Sequence, residues 1–169
     1  LANIDENFIR RFDECARKHG PALVILGDSH AMNIYGALYR NSAADFLVGV
    51  AQGRCRPHAN LPNCQYDAFE TFASERSADI DHVLYNQAGF YLLKDTDGRD
   101  GSRKMLQRAT IEQHMVDDEH VQKTSEYLQR ISRHVSVTWL GPFVEPHFST
   151  RSLFKLLHSG YQLDPELYA

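Results

Sequence analysis

One short run of apolar residues, 22–26, restricts the fold of this chain more than any other feature. Every side chain in the run is apolar, as in strands of parallel sheets that are covered by helices on both faces. Gly27 and Asp28 end the run. The residues that follow have the spacing of an amphipathic helix over 30–39. The segment therefore predicts a buried strand, a tight turn and a helix.

The same alternation of strand and helix continues along the chain. Three further strands are predicted, at residues 46–51, 82–85 and 135–140. Helices are predicted at residues 3–19, 66–76, 108–134 (one long helix or a broken pair) and 149–158, and a loop or hairpin tip at 94–103. This pattern predicts an α/β fold, a three-layer α/β/α sandwich with a mainly parallel sheet. No repeat or linker divides the sequence, so we expect a single domain over residues 1–169.

Charge and hydropathy exclude several classes of protein. The formal net charge is −4, and no block of Lys and Arg is present, which argues against nucleic acid as a partner. The longest apolar runs are too short to cross a bilayer. Residues 1–18 have the pattern of a charged amphipathic helix rather than of a signal peptide.

The chain has three cysteines, and two of them share one proline-rich segment. The eight residues between Cys55 and Cys64 allow a disulfide, with free thiols as the alternative. A zinc site would need more ligands than His58 adds. A disulfide would place the domain in an oxidising compartment. Cys15, in the first helix, is interpreted as a buried or half-buried residue without a chemical role.

The segments after the first three predicted strands hold the candidate site residues, Ser29, Gly53 and Asn86. Parallel sheets carry their sites at the carboxyl ends of the strands. A serine that opens a helix there would have backbone N–H groups and a partial positive charge beside its hydroxyl, both suited to an oxyanion. Gly53 could bring an unhindered N–H to the same oxygen, and Asn86 could add a side-chain amide.

Each candidate also has a simpler interpretation. Asp or Ser after a strand is often only a helix cap, which would make Ser29 structural. Gly53 and Asn86 are both common turn residues. His30 is interpreted as a structural hydrogen-bonding residue. The placement of Ser29, Gly53 and Asn86 after three successive strands nevertheless favours one shared site over three separate turns.

Several segments resemble a known family. Residues 22–31 resemble the first block of the SGNH (GDSL-like) hydrolases, and the Gly-Asp-Ser-His form at 27–30 is similar to the SGNH domain fused to acyltransferase-3 membrane proteins. Further segments that resemble that domain are residues 53–57, 83–86 and 137–142. The resemblance covers residues 20–145. It implies that Ser29 is the nucleophile and that Gly53 and Asn86, or Gln87 in place of Asn86, line the oxyanion hole.

The resemblance also implies a function, which we state as an expectation. The acyl (acetyl) group would pass through an acyl-enzyme on Ser29 to or from a sugar hydroxyl of a surface polysaccharide or lipopolysaccharide. The expected partners are the acyl donor, the glycan and a membrane acyltransferase-3 domain on the same polypeptide. The expected location is periplasmic, as a domain of an inner-membrane protein. No metal or organic cofactor is implied.

The chain departs from the family in its Asp-x-x-His motif, which supplies the base. The one at Asp117 and His120 precedes a helix, where Asp117 is expected to be the cap. His147 and His158 have no Asp three residues before them. We therefore expect the catalytic pair beyond Ala169.

Two alternatives to an enzyme with this site remain. A domain without the base could be a non-catalytic module that binds a glycan or a partner. A flavodoxin-like receiver or nucleotide fold is disfavoured, because the turn after the first strand has no glycine-rich phosphate cradle. Arg54 and Arg56 are interpreted as part of a solvated loop, with contact to an acidic glycan as the alternative.

Overall fold

The computed structural model describes residues 3–42, 44–59, 61–94 and 115–141. The helices are α1 (Glu6–His19), α2 (Ser29–Arg40), α3 (Tyr66–Glu75) and α4 (Asp118–Ser132), with short 3-10 turns at Ser77–Asp79 and Gly89–Leu92. The strands are β1 (Ala22–Gly27), β2 (Leu47–Ala51), β3 (Ile80–Asn86), β4 (Leu93–Lys94), β5 (Met115–Val116) and β6 (Val137–Trp139). Helices and strands thus alternate as the sequence predicts.

The main sheet is parallel and has β1 near its centre. The strand order is β2-β1-β3-β6, and every pairing between these strands is parallel. Parallel neighbours require crossover connections, which the helices supply. The predicted α/β fold with a mainly parallel sheet flanked by helices is confirmed.

Alternate residues of β1 enter separate cores on the two faces of the sheet. Val24 and Leu26 belong to the larger core, which also holds buried residues of α1, α3 and α4. Ile25 belongs to a smaller core on the other face, where Leu23 packs at its edge and α2 covers the sheet. Both faces of β1 are therefore covered, which explains why its sequence is continuously apolar.

The helix α1 packs on the larger core through aromatic rings. Asp5 caps its N-terminus by accepting from the Phe8 N–H at 2.8 Å. Phe8 and Phe12 meet Phe72 of α3 edge to face, at ring-centroid distances of 5.4 and 4.8 Å. Such pairs add to the free energy gained from apolar burial. No helix within the described ranges is both long and apolar enough to cross a membrane.

The prediction of a helix over residues 108–134 is wrong at 115–116. There β5 pairs antiparallel with β4, and Asp117 then caps α4 by accepting from the His120 N–H at 3.3 Å. The pairing ties Met115 and Val116 to residues just after the Gly89–Leu92 turn, so tertiary contact overrides the local helical pattern. Residues 108–114 of that predicted helix, residues 95–103 of the predicted loop and the predicted helix at 149–158 lie outside the described residues.

Gly27, at the end of β1, allows an unusually close approach of two strands. Its φ is 147°, in a region that residues with a side chain rarely adopt. A Cβ atom placed there would lie 1.8 Å from the backbone oxygen of Asn86 and 3.0 Å from the Cβ of Ala31. Glycine is therefore required where β1, β3 and α2 meet.

We expect Gly27→Ala to lower the free energy of unfolding by more than about 2 kcal/mol, because a methyl group would collide with backbone. Urea unfolding measures the loss. Gly36→Ala is the matched control, since a Cβ at this helical position meets no described atom within 4 Å. It should leave stability unchanged or raise it by up to about 1 kcal/mol. Equal stability of the two variants would contradict the proposed collision.

Candidate active site at the carboxyl edge of the sheet

The strand ends that carry the predicted site residues are neighbours in the sheet. Gly27 pairs with Ala51 of β2 on one side and with Asn86 of β3 on the other. Ser29 follows β1 by two residues and Gly53 follows β2 by two residues. The structure therefore brings Ser29, Gly53 and Asn86 to one edge of the sheet.

Ser29 is the first residue of α2, and its side chain is exposed. The cap is Asp28, which accepts from the His30 N–H at 2.8 Å. Ser29 is thus not the helix cap, and its hydroxyl is left at the solvent side of the turn. The first N–H groups of a helix have no acceptor within the helix and carry partial positive charge. The environment suits an anion forming beside Ser29.

The carboxylate of Asp28 ties this turn to the chain beyond β3. It is fully buried. One oxygen accepts from His30, and the other accepts from the Ala88 N–H at 2.9 Å. The Asp28 N–H donates to the Asn86 carbonyl at 3.4 Å. Hydrogen bonds to a charged acceptor are stronger than neutral ones, so Asp28 fixes Ser29 relative to Asn86.

Asn86 is buried at the end of β3. Its Nδ2 donates to the Leu140 carbonyl at 3.1 Å. A side-chain amide has two N–H bonds, so the other has no acceptor among the described residues. Its Oδ1 has no partner among the described residues. Asn86 lies two residues after Leu84 on β3, so both side chains are on the same face of the sheet. Leu84 packs on the face that α2 covers, and Ser29 is the first residue of α2.

Gln87, the alternative to Asn86, is held by its amide oxygen on the other face of the sheet. Its Oε1 accepts a short hydrogen bond from the Tyr85 hydroxyl, and the side chain is fully enclosed. Tyr85 belongs to the larger core on the face opposite α2. Burial raises the pKa of Tyr85 well above 10, and the charge of Asp28 contributes in the same direction, so the phenol remains a donor. The Gln87 Nε2 has no partner among the described residues, but the bond to Tyr85 holds this side chain on the face opposite α2. The geometry therefore favours Asn86 as the donor beside Ser29.

Gly53 lies in an exposed turn just past β2. The Gln52 N–H donates to the Gly27 carbonyl at 3.1 Å, and the Cys55 N–H donates to the Gln52 carbonyl at 3.1 Å. These two bonds extend the pairing of β1 and β2 by one residue and fix the turn relative to the end of β1. A Cβ at Gly53 would meet no described atom within 4 Å, so packing does not require glycine here.

The predicted disulfide between Cys55 and Cys64 is confirmed. Cys55 is buried, and its carbonyl accepts from the Tyr66 hydroxyl at 3.0 Å. Burial, followed by the charge of Asp28, raises the pKa of Tyr66 far above its usual value of 10.0, so this hydroxyl also stays protonated. The loop after β2 is thus anchored to the start of α3. Cys15 is a half-exposed free thiol, as expected.

The Asp-x-x-His motif at Asp117 and His120 has a structural role. Asp117 is the cap of α4, as the sequence predicts. The His120 Nδ1 lies 3.0 Å from the Tyr91 carbonyl, and the ring stacks on His58 with centroids 4.1 Å apart. The sequence did not indicate this stacked pair, because residues so far apart in the chain carry no local signal of contact.

Comparisons with known proteins agree with the resemblance in the sequence. The family described as "SGNH domain (fused to AT3 domains)" matches residues 3–167. Searches of curated proteins and of solved structures returned no match.

We expect Asp28→Asn to lower the free energy of unfolding by about 1–3 kcal/mol, because its new amide would face a backbone N–H in a buried site. Asp5→Asn is the matched control. Asp5 caps α1 at an exposed position, where Asn caps about as well as Asp, so its change should stay below about 0.5 kcal/mol. Chemical denaturation measures both variants. Equal losses would show that Asp28 acts only as a cap.

Proposed function

Because the chain belongs to the family of SGNH domains that occur fused to AT3 domains, we propose that it transfers acyl groups through Ser29. SGNH domains are hydrolase or acyl-transfer domains. The observation that carries the proposal is the shared edge of β1, β2 and β3, which holds an exposed serine, a glycine turn and a buried amide.

The proposed reaction has two steps. The Ser29 Oγ attacks the carbonyl carbon of an acyl ester, and the alcohol leaves with a proton as the acyl-enzyme forms. A water or a sugar hydroxyl then attacks the acyl carbon, and Ser29 regains its proton. In each step the oxyanion accepts from the backbone N–H groups of Ser29 and Gly53 and from the Asn86 amide.

The proposed reaction also needs a general base, and the motif at Asp117 and His120 does not fit that role. The His120 Nδ1 is at hydrogen-bonding distance from the Tyr91 carbonyl, and its ring stacks on His58. A base must reach the hydroxyl proton directly or through one water. Because this motif begins α4 instead of following the last strand, we do not assign His120 as the base of the proposed reaction.

We propose transfer of acetyl to a polysaccharide or lipopolysaccharide sugar as the reaction. The family's association with AT3 domains supports a membrane acyltransferase-3 domain on the same polypeptide, which would present the acyl group to this domain. The disulfide between Cys55 and Cys64 supports an oxidising compartment, such as the periplasm. The domain would then work on the outer side of an inner membrane.

A non-catalytic module that binds a glycan or a partner is the second candidate. The position of the Asp117 and His120 motif at the start of α4 favours it, because a domain with no base would keep the fold and lose the chemistry. Reaction of Ser29 with an electrophile separates the two candidates, since only an activated serine reacts quickly.

We expect a fluorophosphonate to modify Ser29 of the intact protein and to leave Ser29→Ala unmodified. Ser74→Ala is the matched control, because Ser74 is an exposed serine of α3 whose hydroxyl donates to the Thr71 carbonyl. Peptide mass spectrometry locates the adduct. A folded intact protein without an adduct on Ser29 would refute the enzymatic proposal and favour the binding module.

We expect Asn86→Ala to slow this modification by about 10²–10³-fold, as for the loss of an oxyanion donor. Gln87→Leu should lower stability by about 1–3 kcal/mol by leaving the Tyr85 hydroxyl unpaired, while folded protein keeps its reaction rate. Stopped-flow labelling and urea unfolding measure the two effects. A reversed pattern would assign the donor to Gln87.

A further inference from the structure

The side chain of Arg56 contacts both the turn that holds Gly53 and the turn that follows Asn86. It lies on the disulfide loop, three residues beyond Gly53. Its Nη1 donates to the Arg54 carbonyl at 3.1 Å. Its Cζ lies 3.5 Å from the centroid of the Tyr91 ring. The guanidinium therefore bridges the chain after β2 and the chain after β3.

The contact with Arg54 bears on the conformation of the glycine turn. Arg54 has a φ of 71°, a left-handed value that costs free energy in a residue with a side chain. It directly follows Gly53, so its backbone conformation affects the orientation of the turn. A charged donor on its carbonyl helps to hold that conformation.

The Tyr91 ring that Arg56 contacts belongs to a turn that is itself held in place by hydrogen bonds. The Tyr91 N–H bonds the Ala88 carbonyl at 3.3 Å, and the Ala88 N–H is held by Asp28. The Tyr91 carbonyl faces the His120 Nδ1. A guanidinium over an aromatic face is attracted by the ring quadrupole, so Arg56 lies against a segment whose position already depends on the Ser29 turn.

We infer that Arg56 is a positioning residue for the proposed acyl transfer. By joining the turn of Gly53 to the segment that follows Asn86, it fixes the separation of two oxyanion donors. The inference rests on the proposed function. Displacement of a catalytic group by about 1 Å can cost about 10²-fold in rate, so a contact that touches no substrate can still control the reaction.

The test uses the fluorophosphonate reaction of the intact protein, with the saturating rate constant and the half-saturating concentration measured separately. We expect Arg56→Ala to lower the saturating rate at least tenfold and to change the half-saturating concentration less than twofold. Arg56→Lys should restore part of the rate, because a lysine keeps the charge over the ring. Tyr91→Leu should resemble Arg56→Ala, and Tyr91→Phe should resemble wild type.

The double variant identifies the contact itself. If Arg56 and Tyr91 act through each other, combining Arg56→Ala with Tyr91→Leu should slow the reaction no more than the worse single change. Arg130→Ala is the matched control. Arg130 also lies over a tyrosine, Tyr127, at 5.5 Å, but it lies on α4 and pairs with Glu70, so its loss should affect thermal unfolding only.

Three outcomes would overturn the inference. Ser29 labelling in Arg56→Ala at the wild-type rate would overturn it and leave the proposed function intact. Fully multiplicative effects of Arg56→Ala and Tyr91→Leu would show that the two residues act separately. Wild-type protein without labelling at Ser29 would overturn both this inference and the proposed function.

Discussion

The carboxylate of Asp28 is the group on which the geometry of the strand ends depends. It is fully buried, and a buried charge is tolerated only when hydrogen bonds replace its lost water. Those bonds come from His30 in the first turn of α2 and from Ala88 beyond β3. The solvation of one charge therefore requires the helix that begins with Ser29 and the strand that ends with Asn86 to meet at one place.

The described residues of the loop after β2 form no helix and no strand of a sheet, so the loop takes its position from contacts at each end. The disulfide and the Tyr66 hydroxyl hold Cys55 near the start of α3. Arg56 then packs on Tyr91, and His58 stacks on His120. Loops positioned by a rigid scaffold commonly carry function. Here the scaffold is the sheet edge together with α3 and α4.

Local patterns predicted the features that depend on neighbours in sequence. The apolar run of β1, the cap at Asp117 and the short span between Cys55 and Cys64 each carry their cause within a few residues. One prediction failed for the opposite reason. Met115 and Val116 form a strand instead of a helix, because the pairing depends on partners far along the chain. The packing of Arg56 on Tyr91 also had no local signal.

The sequence by itself determined the layered α/β class, the strand ends at which a site would lie, and the three residues offered for it. Those features follow from periodicity and from residue chemistry, which are local. Only the tertiary structure distinguishes Asn86 from Gln87 by position, since it shows which face of the sheet each side chain meets. Only the tertiary structure shows that Asp28 connects the start of α2 to the chain beyond β3, because the Ala88 N–H that it accepts from lies sixty residues away in the chain.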